Sequence, residues 1–147
     1  METVADVLDR KYPQFNTVTP DCKVSDALYQ MSCENVDHLI VIEEEKFMGL
    51  LTDHEIASKV LFAELPLNKI HVREFMNRTL PVAEIDDSIE YCMQMMERFH
   101  SKHLAVFDSF DFRGVVCAQD LLEEALNKRK LTFSVKKIQR MGYPWNY

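Results

Sequence analysis

The stretch His38-Leu39-Ile40-Val41-Ile42-Glu43, followed by Phe47-Met48-Gly49-Leu50-Leu51-Thr52, reads as two short strands joined by a polar turn. At an offset of 65 residues the chain does the same again, as His103-Leu104-Ala105-Val106-Phe107-Asp108 and then Phe112-Arg113-Gly114-Val115-Val116-Cys117. Near-continuous apolar runs of this length suit strands covered on both faces. Each pair is closed by a polar turn, Glu43–Lys46 or Asp108–Asp111. Outward from these hairpins the offset holds without a gap, Thr17–Leu61 against Val82–Leu126. Asp21 meets Asp86, Met31 meets Met96, and Leu61 meets Leu126; apolar Val24, Leu28 and Ile56 meet Ile89, Met93 and Leu121. Two of the three glycines, Gly49 and Gly114, also coincide. Such self-similarity marks one structural unit used twice.

Each unit follows the same plan. A short helix opens it, Val4–Arg10 or Val72–Asn77. These openings match at offset 68, which makes the loop around Lys11–Gln14 about three residues longer in the first unit. A short extended segment follows, Thr17–Thr19 or Pro81–Glu84, and then an amphipathic helix with Val24, Ala27, Leu28 and Met31 on one face. Its second copy carries Ile89, Cys92, Met93 and Met96, a stripe that suits core packing. Asp21 and Asp87 stand just ahead of these helices, where a carboxylate can cap free N–H groups. After the hairpin a last helix covers Asp53–Phe62 or Ala118–Lys128, and Pro66 with Leu67–His71 forms the link. The fold class is α+β (mixed α/β), two β-α-β-β-α repeats related by a pseudo-twofold and packed sheet to sheet. Residues 3–65 form the first repeat and 70–127 the second, with 128–147 a basic, aromatic tail. A unit of about 60 residues buries a marginal core by itself, so the two are expected to share one.

Composition narrows the function. No apolar run approaches the roughly 20 residues of a membrane helix, and the acidic start Met1–Asp6 lacks the layout of a secretory signal. The protein is read as cytoplasmic. The four cysteines form no CxxC, so reduced thiols are expected. The net charge of −7 divides into a +6 tail from Asn127 onward and −13 over residues 1–126. An acidic body offers no broad face for nucleic-acid phosphates. His100 and His103 have a metal-like spacing, but no cysteine or acid completes a recognisable set, so no metal is expected. Neither a nucleophile elbow nor a phosphate-binding glycine loop is present. The tail carries Phe133, Val135, Ile138 and Met141 at amphipathic spacing, then Tyr143, Trp145 and Tyr147, aromatics of the kind found at interfaces.

The doubled pattern resembles the CBS domain, named for cystathionine β-synthase, in its two-copy form. Two motifs carry the resemblance. One is the His-Leu-x-Val-hydrophobic-acid strand at 38–43 and 103–108. The other is Gly-hydrophobic-hydrophobic-Thr/Ser-x-x-Asp, present as Gly49-Leu50-Leu51-Thr52-Asp53-His54-Glu55 and Gly114-Val115-Val116-Cys117-Ala118-Gln119-Asp120. The resemblance covers about residues 3–127 and implies two clefts between the repeats that take adenosine-containing ligands: AMP, ADP, ATP or S-adenosylmethionine. It implies that the motif acid, Asp120 or Glu55, accepts ribose hydroxyls, and that the residue three earlier, Cys117 or Thr52, helps hold ribose or phosphate. It places Lys102, His103 and His38 toward phosphates, and Thr17, Val18, Pro81 and Val82 around the adenine. This chain departs from the motif at Glu55 and Cys117, and Asp37 stands where the other copy has Lys102. The half carrying Asp120, Lys102 and His103 is therefore the expected site.

The resulting reading is a non-enzymatic regulatory module that senses an adenine nucleotide or S-adenosylmethionine, forms a homodimer and signals to a partner protein. The alternative is a structural or dimerisation module with degenerate clefts that binds a partner through its tail.

Overall fold

The structure, a computed structural model, describes residues 2–11 and 16–130. The expectations for Leu131–Tyr147 lie outside the described residues. The elements follow in order: α1 Val4–Arg10, β1 Thr17–Val18, α2 Val24–Glu34, β2 His38–Glu43, β3 Lys46–Thr52 and α3 Asp53–Glu55. The helix α3 continues as a π-helical segment over Ile56–Leu61, and a 3-10 turn covers Val72–Glu74. Then come β4 Val82–Glu84, α4 Ile89–Arg98, β5 His103–Asp108, β6 Asp111–Cys117 and α5 Ala118–Lys130. The expected second opening helix is thus a 3-10 turn, and the helix after β3 widens into π geometry. Helix α5 runs two residues past its expected end at Lys128, into the basic segment.

The repeat is visible in every register. The two sheets have the order β1-β2-β3 and β4-β5-β6. In each the first pair is parallel and the second antiparallel. Thr17 faces Ile40 as Val82 faces Ala105, and His38 faces Thr52 as His103 faces Cys117. A register shift falls between Val41 and Ile42 and, at the equivalent place, between Val106 and Phe107. Capping departs from expectation. Ser88, not Asp87, caps α4 by accepting the Tyr91 N–H at 3.1 Å, while Asp87 accepts from Glu84 N at 2.8 Å. Helix α2 has no side-chain cap; Asp21 stands 3.4 Å from Arg73.

The sheets pack face to face through Ile40, Leu50, Leu80, Ala105 and Val115, flanked by Phe47, Phe107 and Phe112. Phe47 and Phe112, equivalent residues, stack at 4.4 Å, and at the other end of the hairpins His38 meets its equivalent His103 at 4.7 Å between ring centroids. A residue can touch its own repeat mate only on the symmetry axis, so these pairs mark the pseudo-twofold seam.

The outer faces show an exchange. Val4 and Val7 of α1 belong to the core of the second sheet, with Leu104, Val106, Val116 and Leu121. Val72 and Met76 belong to the core of the first, with Leu39, Val41, Leu51 and Ile56. Backbone bonds fix the arrangement: Val4 N to Asp87 O at 2.9 Å, and Val72 N to Cys22 O at 2.9 Å. Arg10 adds a salt bridge to the buried Glu124 of α5. Each opening segment therefore completes the core of the repeat that it does not precede in the chain. All four cysteines are unpaired; Cys92 is buried, whereas Cys33 is exposed. No helix among the described residues is long and apolar enough to cross a membrane.

Candidate functional site

Among the described residues, two clefts lie along the seam, each walled by both repeats. The first encloses about 540 Å³ and is lined by Thr52, Glu55 and Lys59 from one side, and by Pro81, Lys102 and His103 from the other, with Asn77, Thr79 and Phe99 around it. The second encloses about 550 Å³ and is lined by Leu8, Asp9, Lys11, Thr17, Phe112 and Arg113, among others. Both volumes lie in the range that holds small ligands.

In the first cleft, Thr52 ends β3 and caps α3. Its hydroxyl accepts the Glu55 N–H at 3.4 Å and donates to Glu55 Oε2. Both residues are buried, so the motif acid is held in place by the hydroxyl three residues before it. Lys102 and Lys59 stand exposed at the cleft. Two exposed lysines and a buried carboxylate thus line one cleft.

Asp120 and Cys117 are not among the residues that line either cleft; Asp120 reaches the second only through Lys11, which lines it. At the start of α5, Asp120 occupies the position equivalent to Glu55. Its Oδ2 accepts from Cys117 N at 2.9 Å and from Lys11 Nζ at 2.7 Å. Burial pushes this carboxyl up, but the Cys117 N–H and the Lys11 ammonium outweigh it and hold Asp120 below the ordinary carboxylate value. The thiol of Cys117 is raised, chiefly by burial. Lys11 also donates to Val115 O at 3.0 Å, which ties α1 across the second hairpin.

The grouping differs from the sequence expectation. Lys102 and His103 line the cleft of Thr52 and Glu55, which therefore takes its motif acid from the first repeat and its basic strand-start residue from the second. Pro81 joins them, and its carbonyl accepts from Ala105 N at 3.0 Å. Thr17 lines the second cleft. Val18 is buried in the first repeat's core, and Val82 is half exposed, neither lining a cleft. His38 is buried on the seam against His103. Asp37 lines neither cleft and bonds His38 Nδ1 at 2.8 Å. Sequence reading missed Lys11, Lys59 and Asn77. Lys59 was discoverable, one helical turn beyond Glu55; Lys11 was not, since its partner Asp120 is 109 residues away.

Comparison with known proteins agrees with this architecture. The CBS domain family profile matches residues 4–61 and 72–127. The CBS domain-containing protein YhcV of Bacillus subtilis (strain 168) is 28% identical over 139 residues, covering 95% of this chain and 99% of YhcV. A structure of a protein with CBS domains from Burkholderia ambifaria MC40-6 superposes with a TM-score of 0.82 at 26% identity, covering 91% of this chain and 99% of that one. The CBS domain pair of protein MJ0100, solved in complex with 5′-methylthioadenosine and S-adenosyl-L-methionine, superposes with a TM-score of 0.72 at 23% identity, covering 86% of this chain and 98% of that one. With both repeats matched, both sheets in the same order and two clefts at the seam between them, the chain belongs to the CBS domain family as a tandem pair.

Proposed function

We propose that this chain is a regulatory module that binds an adenosyl ligand in the cleft of Thr52, Glu55, Pro81 and Lys102. One observation carries the reading: a fixed carboxylate and two exposed ammonium groups line the same cleft of about 540 Å³. A nucleotide has matching ends, a ribose diol for Glu55 and phosphates for Lys102 and Lys59, with Pro81 and Phe99 as apolar surface for the base. The adenosyl compounds bound by the MJ0100 pair support the ligand class. Beside the other cleft, Lys11 is already paired with Asp120, so a ligand that used either group would have to displace an internal ion pair.

Binding across two repeats gives the ligand purchase on their relative angle, which is the physical basis for signalling to a partner protein. We further read the exposed Leu61, Phe62, Leu122 and Leu126 as supporting a homodimer, Leu61 and Leu126 being equivalent positions on the two last helices.

The test is thermal shift and calorimetry with AMP, ADP, ATP, S-adenosylmethionine and NADH. A ligand at 100-fold excess over its Kd adds about 2.7 kcal/mol of stability. Lys102→Ala should weaken phosphate-bearing ligands and Glu55→Ala all of them, while Asp120→Ala leaves binding in the first cleft. No shift with any compound would favour the second reading, a structural module, which the internal Lys11–Asp120 and Thr52–Glu55 contacts also suit.

A further inference from the structure

At the end of the seam away from the stacked phenylalanines, Asp37, His38 and His103 bring one carboxylate oxygen and two ring nitrogens within 4.8 Å of one another. His38 and His103 are 8% and 5% exposed, so both rings are more than nine-tenths buried. The Nε2 atom of each has no hydrogen-bond partner. His103 Nε2 approaches Asp37 Oδ1 only to 3.4 Å, too poorly directed to count as a bond. Buried polar atoms nearly always have partners. Two orphans at one point, supplied by equivalent residues of both repeats, call for a shared one.

The chemistry of that partner is constrained. An imidazole nitrogen without a hydrogen-bond partner can offer its lone pair to a transition metal. Asp37 brings the negative charge, and its side chain is 57% exposed, which leaves a path from solvent. Two imidazoles and a carboxylate make a three-ligand set that suits a tetrahedral ion with water in the fourth position. In the chain, only His100 stands at a metal-like spacing from His103; the fold pairs His103 with His38 instead.

We propose that Asp37, His38 and His103 form a divalent transition-metal site of the zinc type, with one ring nitrogen of each histidine and the Asp37 carboxylate as protein ligands. Two ligands come from the first repeat and one from the second, so the ion would clamp the seam. His103 also lines the Thr52–Glu55 cleft, which places the clamp beside the ligand site.

The test uses the full chain, stripped with chelator and without nucleotide, so it stands apart from the cleft reading. Zinc is titrated against a competing chromophoric chelator, and cobalt(II) is added to a second sample. The expected results are one ion per chain, visible cobalt bands of a four-coordinate site, and a raised Tm. His38→Gln and His103→Gln should remove uptake. Because these buried changes can disturb packing, Asp37→Asn, at an exposed position, decides the matter: affinity should fall about 10-fold or more with the circular dichroism unchanged. A His71→Ala/Cys33→Ser control, which removes exposed metal-binding groups, should bind as the parent does. Failure to take up stoichiometric zinc at micromolar concentration overturns the proposal. So does uptake indifferent to Asp37→Asn and His103→Gln, or uptake lost in the control.

Discussion

Single atoms decide two features of this protein. Gly49 sits where the backbone of Asn77 crosses β3: a Cβ there would lie 2.6 Å from the Asn77 carbonyl oxygen. The Leu50–Asn77 backbone pair, at 3.0 and 2.7 Å, fixes that approach. Gly49→Ala should therefore cost about 1–3 kcal/mol in urea unfolding, the usual penalty of overpacking; an unchanged midpoint would mean that the Asn77 strand can move freely. Asp120 makes a second case. Its carboxyl is depressed in the folded chain, so it contributes stability above its ordinary value of 3.8 that is lost as pH falls through the lower folded value. Asp120→Asn should accordingly be less stable than the parent at neutral pH, and the gap should close on acidification. Urea titrations across that range check the sign, and a gap that widens in acid would contradict the Lys11–Asp120 pairing.

Among the elements, the two hairpins share one register and differ in their turns. Glu44 and Glu45 both take positive φ, 51° and 66°, between β2 and β3. Two-residue turns of this geometry favour Asn-Gly, and a left-handed L-residue costs about 1–2 kcal/mol. Replacing Glu44-Glu45 by Asn-Gly should raise stability by about 1 kcal/mol, readable as a higher urea midpoint with an unchanged slope. The reach of the short opening segments is the other lesson at this scale. Their apolar spacing was plain in sequence, as was the offset of 68 that relates them. Spacing says which face is buried but not against which partner, and each segment turned out to complete the opposite core.

For the molecule as a whole, that exchange means the repeats cannot unfold separately. Val4 is fully buried in the second repeat's core and Val72 in the first's. Val4→Ala and Val72→Ala should each cost about 2 kcal/mol, near the low end for large-to-small core changes, and both should shift one transition rather than split it in two. Coincident melting followed by far-ultraviolet circular dichroism and by the near-ultraviolet signal checks this; separate transitions would show that the halves are independent.

The amino-acid order alone determined the elements, the repeat and the sheet-to-sheet seam, because strand and helix periodicity and a fixed offset are local or self-referential signals. It also singled out Thr52, Glu55, Pro81, Lys102, His103 and Thr17, which line the two clefts. Only the tertiary structure decided which of them share a cleft. Each cleft draws on both repeats, so its members lie up to about a hundred residues apart, as Lys11 and Gly114 do. The same holds for Asp37, His38 and His103, which meet because the axis superposes equivalent positions. Contacts across a symmetry axis depend on how two faces dock, and no periodicity within one repeat encodes that angle.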